Sequence, residues 1–217
     1  MKKELIKRTL SSIILVPVAL FFIVKGSFLF NFFILICFLI TAYEWYMMTK
    51  KKPYTLPGLI FLILSFYTIY CLRNNIENDY TYLLFITIIC VSTDLGGYIF
   101  GKFFGGPKIT KISPKKTFSG MIGGYLLSII SVSYFLMSFT LNGQNDFNWK
   151  IFTYVLLIST VSQLGDILIS YFKRLSKIKD TGKIIPGHGG ILDRIDGMIF
   201  AFPFSYFILF SNFFNFI

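Results

Sequence analysis

Seven apolar runs, near residues 10–24, 27–49, 55–72, 80–101, 119–141, 150–172 and 197–216, leave this chain few ways to fold. A helix needs about 20 apolar residues to cross the hydrocarbon of a bilayer, and most of the runs have that length. Hydrophobic residues make up 55% of the 217 and charged residues only 14%, too few to give a domain of this size a polar shell in water. The expected fold is therefore all-α: a polytopic integral membrane protein of about seven transmembrane helices. It forms one membrane-embedded domain over 1–217, with short N-terminal helices over about 1–72 and the part that carries both long polar loops over about 80–217. The first run has no clear small-residue cleavage site and another span follows closely, so it is kept as a mature helix rather than a signal peptide.

Charge orients the spans. With the N-terminus in the cytoplasm, 18 of the 21 basic residues fall on the cytoplasmic side. They cluster at Lys2 to Arg8, at Lys50 to Lys52, from Lys102 to Lys116, and from Lys173 to Arg194. Only Lys25, Arg73 and Lys150 fall opposite. A wrong helix count would scramble this segregation, so the positive-inside rule predicts a cytoplasmic N-terminus and a C-terminus on the opposite side. The net charge of +11 then reports topology and anionic membrane lipid, and no nucleic-acid motif accompanies it. Cys37, Cys71 and Cys90 lie in or at the ends of apolar runs without metal-type spacing, and are expected to pack. The expected location is a cell's inner, or plasma, membrane, with the active side facing the cytoplasm.

Acids within spans are costly, about 2.5–3.5 kcal/mol each on insertion scales, so they mark places of interest. Glu44, Asp94 and Asp166 all lie nearer the cytoplasmic end of their runs, and Asp193 precedes the last run. For Glu44, pairing with a neighbouring Lys or a helix end is as good a reading as a functional one. Asp193 could cap the last helix. Asp166, Ser170 and Lys173 fall at i, i+4 and i+7, on one helical face that Gln163 extends; Asp193 and Asp196 share another. Hard carboxylate oxygens of this kind suit Mg²⁺, with substrate phosphate completing the shell.

Between these acids lies Pro186-Gly187-His188-Gly189-Gly190. Its glycines would let backbone N–H groups approach an anion closely, although a tight turn is the plainer reading. His188, the one histidine of the chain, is expected to be a donor or structural contact rather than a general base. The chain uses Lys seventeen times and Arg four times, yet two of those four, Arg174 and Arg194, fall here, where planar bidentate pairing with phosphate is what Lys cannot supply. The other long polar loop, about 102–118, carries Ser113-Pro114-Lys115-Lys116-Thr117 and is read as a second phosphate-binding wall.

Together these residues resemble the phosphatidate cytidylyltransferases (CDP-diacylglycerol synthases). That family's signature is met without a gap by Ser170, Lys173, Arg174, Lys179, Asp180, Gly182, Pro186, His188, Gly189, Gly190, Asp193, Arg194 and Asp196. Gly165-Asp166, Ser113 to Thr117, the Asp94, Gly96 and Tyr98 set, and Glu44-Trp45 extend the similarity over most of the chain. Two departures stand out. Phe118-Ser119 replaces a position that is usually acidic, and many members have eight or nine helices.

The resemblance implies a Mg²⁺-dependent reaction of CTP with phosphatidate, giving CDP-diacylglycerol and pyrophosphate; a second, monovalent cation such as K⁺ is a further candidate. It implies Asp166, Lys173, Arg174, Asp193, Arg194 and Asp196 as catalytic residues. Asp166, Asp193 and Asp196 would be metal ligands, with Asp94 an additional candidate. Ser113, Lys115, Lys116, Thr117, Ser170, Lys179, Asp180, His188, Gly189 and Gly190 would bind substrate. A homodimer is a candidate assembly. The rivals are a CTP-dependent polyprenol or lipid kinase, which would lack this signature, and an ion-coupled transporter, which would show a half-repeat.

The charge pattern makes one prediction. In an otherwise cysteine-free protein, single cysteines at Thr110 and Lys183 should react with an impermeant thiol reagent from the cytoplasmic side, and one at Gly143 from the opposite side. Labelling of Thr110 and Gly143 from the same side would defeat the topology.

Overall fold

The computed structural model describes residues 16–74, 80–110, 112–113, 116–139, 148–182, 184 and 189–211. They form helices α1 (Val16–Lys25), α2 (Ser27–Thr49), α3 (Thr55–Asn74), α4 (Thr81–Phe104), α5 (Phe118–Phe139), α6 (Trp149–Leu175), α7 (Leu192–Ile195) and α8 (Met198–Phe210). Among the described residues there is no strand, only an isolated bridge between Lys108 and Thr117. Helices α2 to α6 are each long and apolar enough to cross a membrane, which makes this an integral membrane protein. Helices α1 and α8 are apolar but shorter, and the outer ends of their two runs lie outside the described residues. Large apolar side chains such as Phe28, Leu56, Ile130 and Met137 are exposed, which a lipid surround tolerates.

Two compact units divide the chain. The first comprises the N-terminal part to Leu83 together with Phe172–Asp196; the second comprises Leu84–Tyr171 and the chain from Gly197 onward.

In the first unit, Gly26 breaks α1 from α2 with φ 63°, a backbone region that glycine adopts cheaply. The break leaves carbonyls of α1 without helical partners. Arg73 of α3 meets them, donating Nε to Ile23 O at 2.8 Å and Nη2 to Val24 O at 3.4 Å. The short turn from α2 to α3 is tied by Thr55, whose hydroxyl donates to Lys52 O at 2.9 Å and also to Thr49 O. Trp45 Nε1 donates to Thr55 O at 3.0 Å, and the indole packs on Phe172.

In the second unit, small residues let α4 and α5 touch backbone to backbone. A side chain on Gly96 would strike the Gly123 carbonyl, and a Cβ on Gly120 would lie 2.7 Å from Gly97 O. Polar pairs cross the same helices: Thr93 with Ser159 at 2.8 Å, Tyr125 with Thr160 at 2.9 Å, and Tyr154 with Ser205. Without a hydrophobic drive between helices in lipid, such close packing and roughly 0.6 kcal/mol per interhelical hydrogen bond hold them together.

The contrast between neighbouring glycines is testable. Gly96→Ala should cost about 1–3 kcal/mol, because the atom in the way is backbone. Gly97→Ala, whose Cβ would sit 3.7 Å from its nearest neighbour, should be close to neutral. Thermal midpoints in detergent check this; equal midpoints would mean that the α4–α5 contact is looser than described.

Candidate active site

In the first unit, the polar segment begins at the last turn of α6. Lys177, with φ 56°, turns the chain out of the helix, and its amide donates to Arg174 O at 3.0 Å. This places Lys173, only 9% exposed, against the return of the chain at α7. Its ammonium lies 2.9 Å from Asp193 Oδ1 and 3.7 Å from Asp196 Oδ2. Two carboxylates three residues apart thus converge on one cationic point, as their shared helical face predicts.

The other oxygen of Asp193 faces backbone. Oδ2 accepts from Thr181 N at 2.8 Å, Gly190 N at 3.0 Å and Thr181 Oγ1 at 3.0 Å. Burial disfavours the ionised form, but the Gly190 amide, the Lys173 ammonium and the Thr181 amide outweigh it and hold the Asp193 carboxyl below its ordinary value.

Glu44 completes this arrangement from α2. It is 2% exposed, and its Oε1 accepts from Ile191 N at 3.0 Å while Oε2 accepts from Leu192 N at 2.8 Å and Thr181 Oγ1 at 3.2 Å. The amides of Thr181, Gly190, Ile191 and Leu192 are therefore all taken by the chain's own carboxylates. Here the glycines serve that approach. A Cβ on Gly190 would run into Glu44, and one on Gly189, with φ 88°, would lie 2.7 Å from Asp193 Oδ2. Pro186 and His188 lie outside the described residues.

The second unit holds another cation–carboxylate centre. Lys116 Nζ is 2.6 Å from Asp166 Oδ2 and donates to Gln163 O at 3.2 Å. Ser170 Oγ donates to Asp166 Oδ1 at 3.3 Å, one helical turn along α6. The Lys116 backbone is set by a turn in which its amide donates to Ser113 O and Ile109 N donates to its carbonyl, each at 3.0 Å. Thr117 caps α5, its Oγ1 accepting from Gly120 N at 3.2 Å. Ser119, at a position that the resemblance leads one to expect acidic, pairs with Thr117 Oγ1 at 3.0 Å and donates to Gly105 O. Lys115 lies outside the described residues.

Of the remaining expected site residues, Arg174, Lys179, Asp180 and Arg194 are exposed around the first centre, and Asp94 is exposed on α4. Arg174 Nη1 reaches Ile178 O at 3.3 Å. Sequence reasoning undervalued Glu44 and overlooked Thr181. The signal for Glu44, an acid within a span, was visible; its partners lie 137 to 148 residues away and were not.

Fold and site define a helical membrane protein with two lysine–carboxylate centres, each beside a polar loop. The chain matches the cytidylyltransferase family over residues 6–78 and 61–212, and it belongs to that family. It is similar to the phosphatidate cytidylyltransferase of Rickettsia bellii, with 38% identity over 213 residues, covering 95% of this chain and 91% of the relative. The Rickettsia felis protein of the same name is 36% identical over 213 residues, covering 95% and 93%. That of Bacillus subtilis is 37% identical over 155 residues, covering 69% of this chain and 55% of the relative.

A carboxyl held below its ordinary value stabilises the fold when ionised. The contribution of Asp193 is therefore full above the unfolded-state value of about 3.9 and is lost as pH falls through the lower folded value. The difference in thermal midpoint between wild type and Asp193→Asn should be constant from about pH 7 to about pH 5 and close below about pH 4. A difference that widened on acidification would contradict the hydrogen-bond assignment.

Proposed function

We propose that this chain transfers the cytidylyl group of CTP to phosphatidate, giving CDP-diacylglycerol and pyrophosphate for phospholipid synthesis. The observation that carries the reading is the gapless signature from Ser170 to Asp196, in which Lys173, Asp193 and Asp196 meet at one point. The names of the relatives support the same substrates.

A phosphate oxygen of the lipid attacks the α-phosphorus of CTP. The bond from that phosphorus to the bridging oxygen breaks, and pyrophosphate leaves with the electron pair. A phosphate monoester's second pKa is about 6, so the nucleophile is already anionic near neutral pH and needs no general base. Bringing two anions together is the main task, and cations carry it. Lys173, Arg174, Lys179 and Arg194 would neutralise phosphates on one polar segment, and Ser113, Lys115, Lys116 and Thr117 would hold the triphosphate on the other.

The donor chemistry fits a divalent ion. Asp193 and Asp196 offer hard oxygens that already converge on a cation, the Lys173 ammonium. Among the described residues no three His, Cys, Asp or Glu side chains gather at one point. Mg²⁺ held here would lean on substrate phosphate oxygens and water, as that ion commonly does. Asp166 is the third proposed ligand. When bound, the ion would offset charge on the reacting phosphates. The proposed topology has seven spans and a cytoplasmic N-terminus, with the polar loops facing the cytoplasm at the inner membrane.

Purified protein with phosphatidate, Mg²⁺ and CTP labelled at the α-phosphorus should yield label soluble in organic solvent. Transfer of γ-label instead would identify a lipid kinase, and transfer of neither would sink the proposal. Within the same assay, Arg174→Lys and Arg194→Lys should each slow turnover about 10- to 150-fold, the worth of a lost bidentate contact to a charged group. Lys50→Arg should be silent. Full activity in both arginine variants would mean that net charge alone matters there.

A further inference from the structure

Glu44 is a buried carboxylate that the proposed chemistry does not use. A carboxylate out of water is costly unless donors meet it. Here each oxygen accepts a backbone amide, from Ile191 and Leu192, and Thr181 adds its hydroxyl. Glycines at 182 and 190 make room for it: a Cβ on Gly182 would lie 2.6 Å from Oε1, and one on Gly190 would strike Oε2. Ile191 and Leu192 sit at the start of α7, directly before Asp193 and about one turn before Asp196.

We infer that Glu44 is a positioning residue for the reaction, acting through α7. By fixing the Ile191 and Leu192 amides and the Thr181 hydroxyl, it sets where Asp193 and Asp196 stand against Lys173. Asp193 Oδ1 ties the segment to Lys173 at the end of α6, while its Oδ2 binds Thr181 and Gly190 within the segment itself. Glu44 supplies a second anchor, to a different helix, from the buried face of α2 next to Trp45 and Met48. An N-terminal helix that brings no group to the substrates thereby controls the geometry of groups that do. This inference rests on the proposed reaction for its kinetic part, and on the hydrogen bonds alone for its structural part.

The test uses full-length protein in detergent or nanodiscs, with Glu44→Gln and Glu44→Ala beside wild type. Gln keeps the length and shape but turns one acceptor into a donor that faces an amide. Hydrogen exchange should rise at least tenfold in peptides covering 181–195, while peptides of α4, α5 and the first half of α6 stay at wild-type rates. In the same preparations kcat should fall about 10- to 100-fold for Gln, and further for Ala, as expected when a buried donor loses its acceptor. KM for CTP should change less than kcat. Unchanged exchange across 181–195 in both variants would overturn the inference. So would faster exchange there with wild-type kcat, or exchange that rises uniformly along the chain with activity lost only in proportion to unfolded protein. If Ala fails to fold, the Gln variant decides. Wild-type protein lacking cytidylyl transfer would refute the proposed function, and the exchange data would still judge the anchor.

Discussion

One carboxylate oxygen, Asp193 Oδ2, organises the polar segment by accepting from two amides and a hydroxyl, while its twin oxygen meets the Lys173 ammonium. A charge in this setting is tolerable because donors meet both oxygens. That requirement dictates the rest. The chain must curl so that Thr181 and Gly190 present amides inward. Gly189, with φ 88°, must lack a side chain, since a Cβ there would lie 2.7 Å from Asp193 Oδ2. Lys173 must end α6 at the right height.

Glu44 applies the same rule from a different element. Together the two acids hold the amides of Thr181, Gly190, Ile191 and Leu192. Glycine's part is steric at these positions, since a Cβ at residue 190 would occupy the place of the Glu44 carboxylate. Arg174, Lys179 and Arg194 of the same segment are exposed.

The second unit solves its packing by other means. Its helices lie in apolar surroundings, where burying more hydrocarbon gains little. Close backbone contact at Gly96, Gly120 and Gly123 and hydroxyl pairs between helices take that role. Lys116 and Asp166 neutralise one another at the polar end, and Gln163 contributes a carbonyl rather than its side chain. Ser119 stands where the resemblance leads one to expect an acid. Its hydroxyl joins Thr117 and Gly105 O, so the start of α5 is still tied to the loop before it.

The helical membrane fold, the places of the long helices and the composition of both polar loops were legible in the sequence. They follow from local properties: runs of apolar residues, their length against a bilayer, and 3.6-residue periodicity, which put Ser170 on Asp166 and aligned Asp193 with Asp196. The gapless signature carried the family for the same reason, because its spacing is local. What the sequence left open was long-range. Glu44 was equally readable as a helix-end pair or a functional acid. Only tertiary structure decided, by bringing amides nearly 150 residues away onto its two oxygens. In the glycine loop, expected as a cradle for phosphate, the Gly190 amide is committed to Asp193. Periodicity states which side chains share a face; it does not state which backbone donors a distant carboxylate will claim, since that depends on where separate helices come to rest.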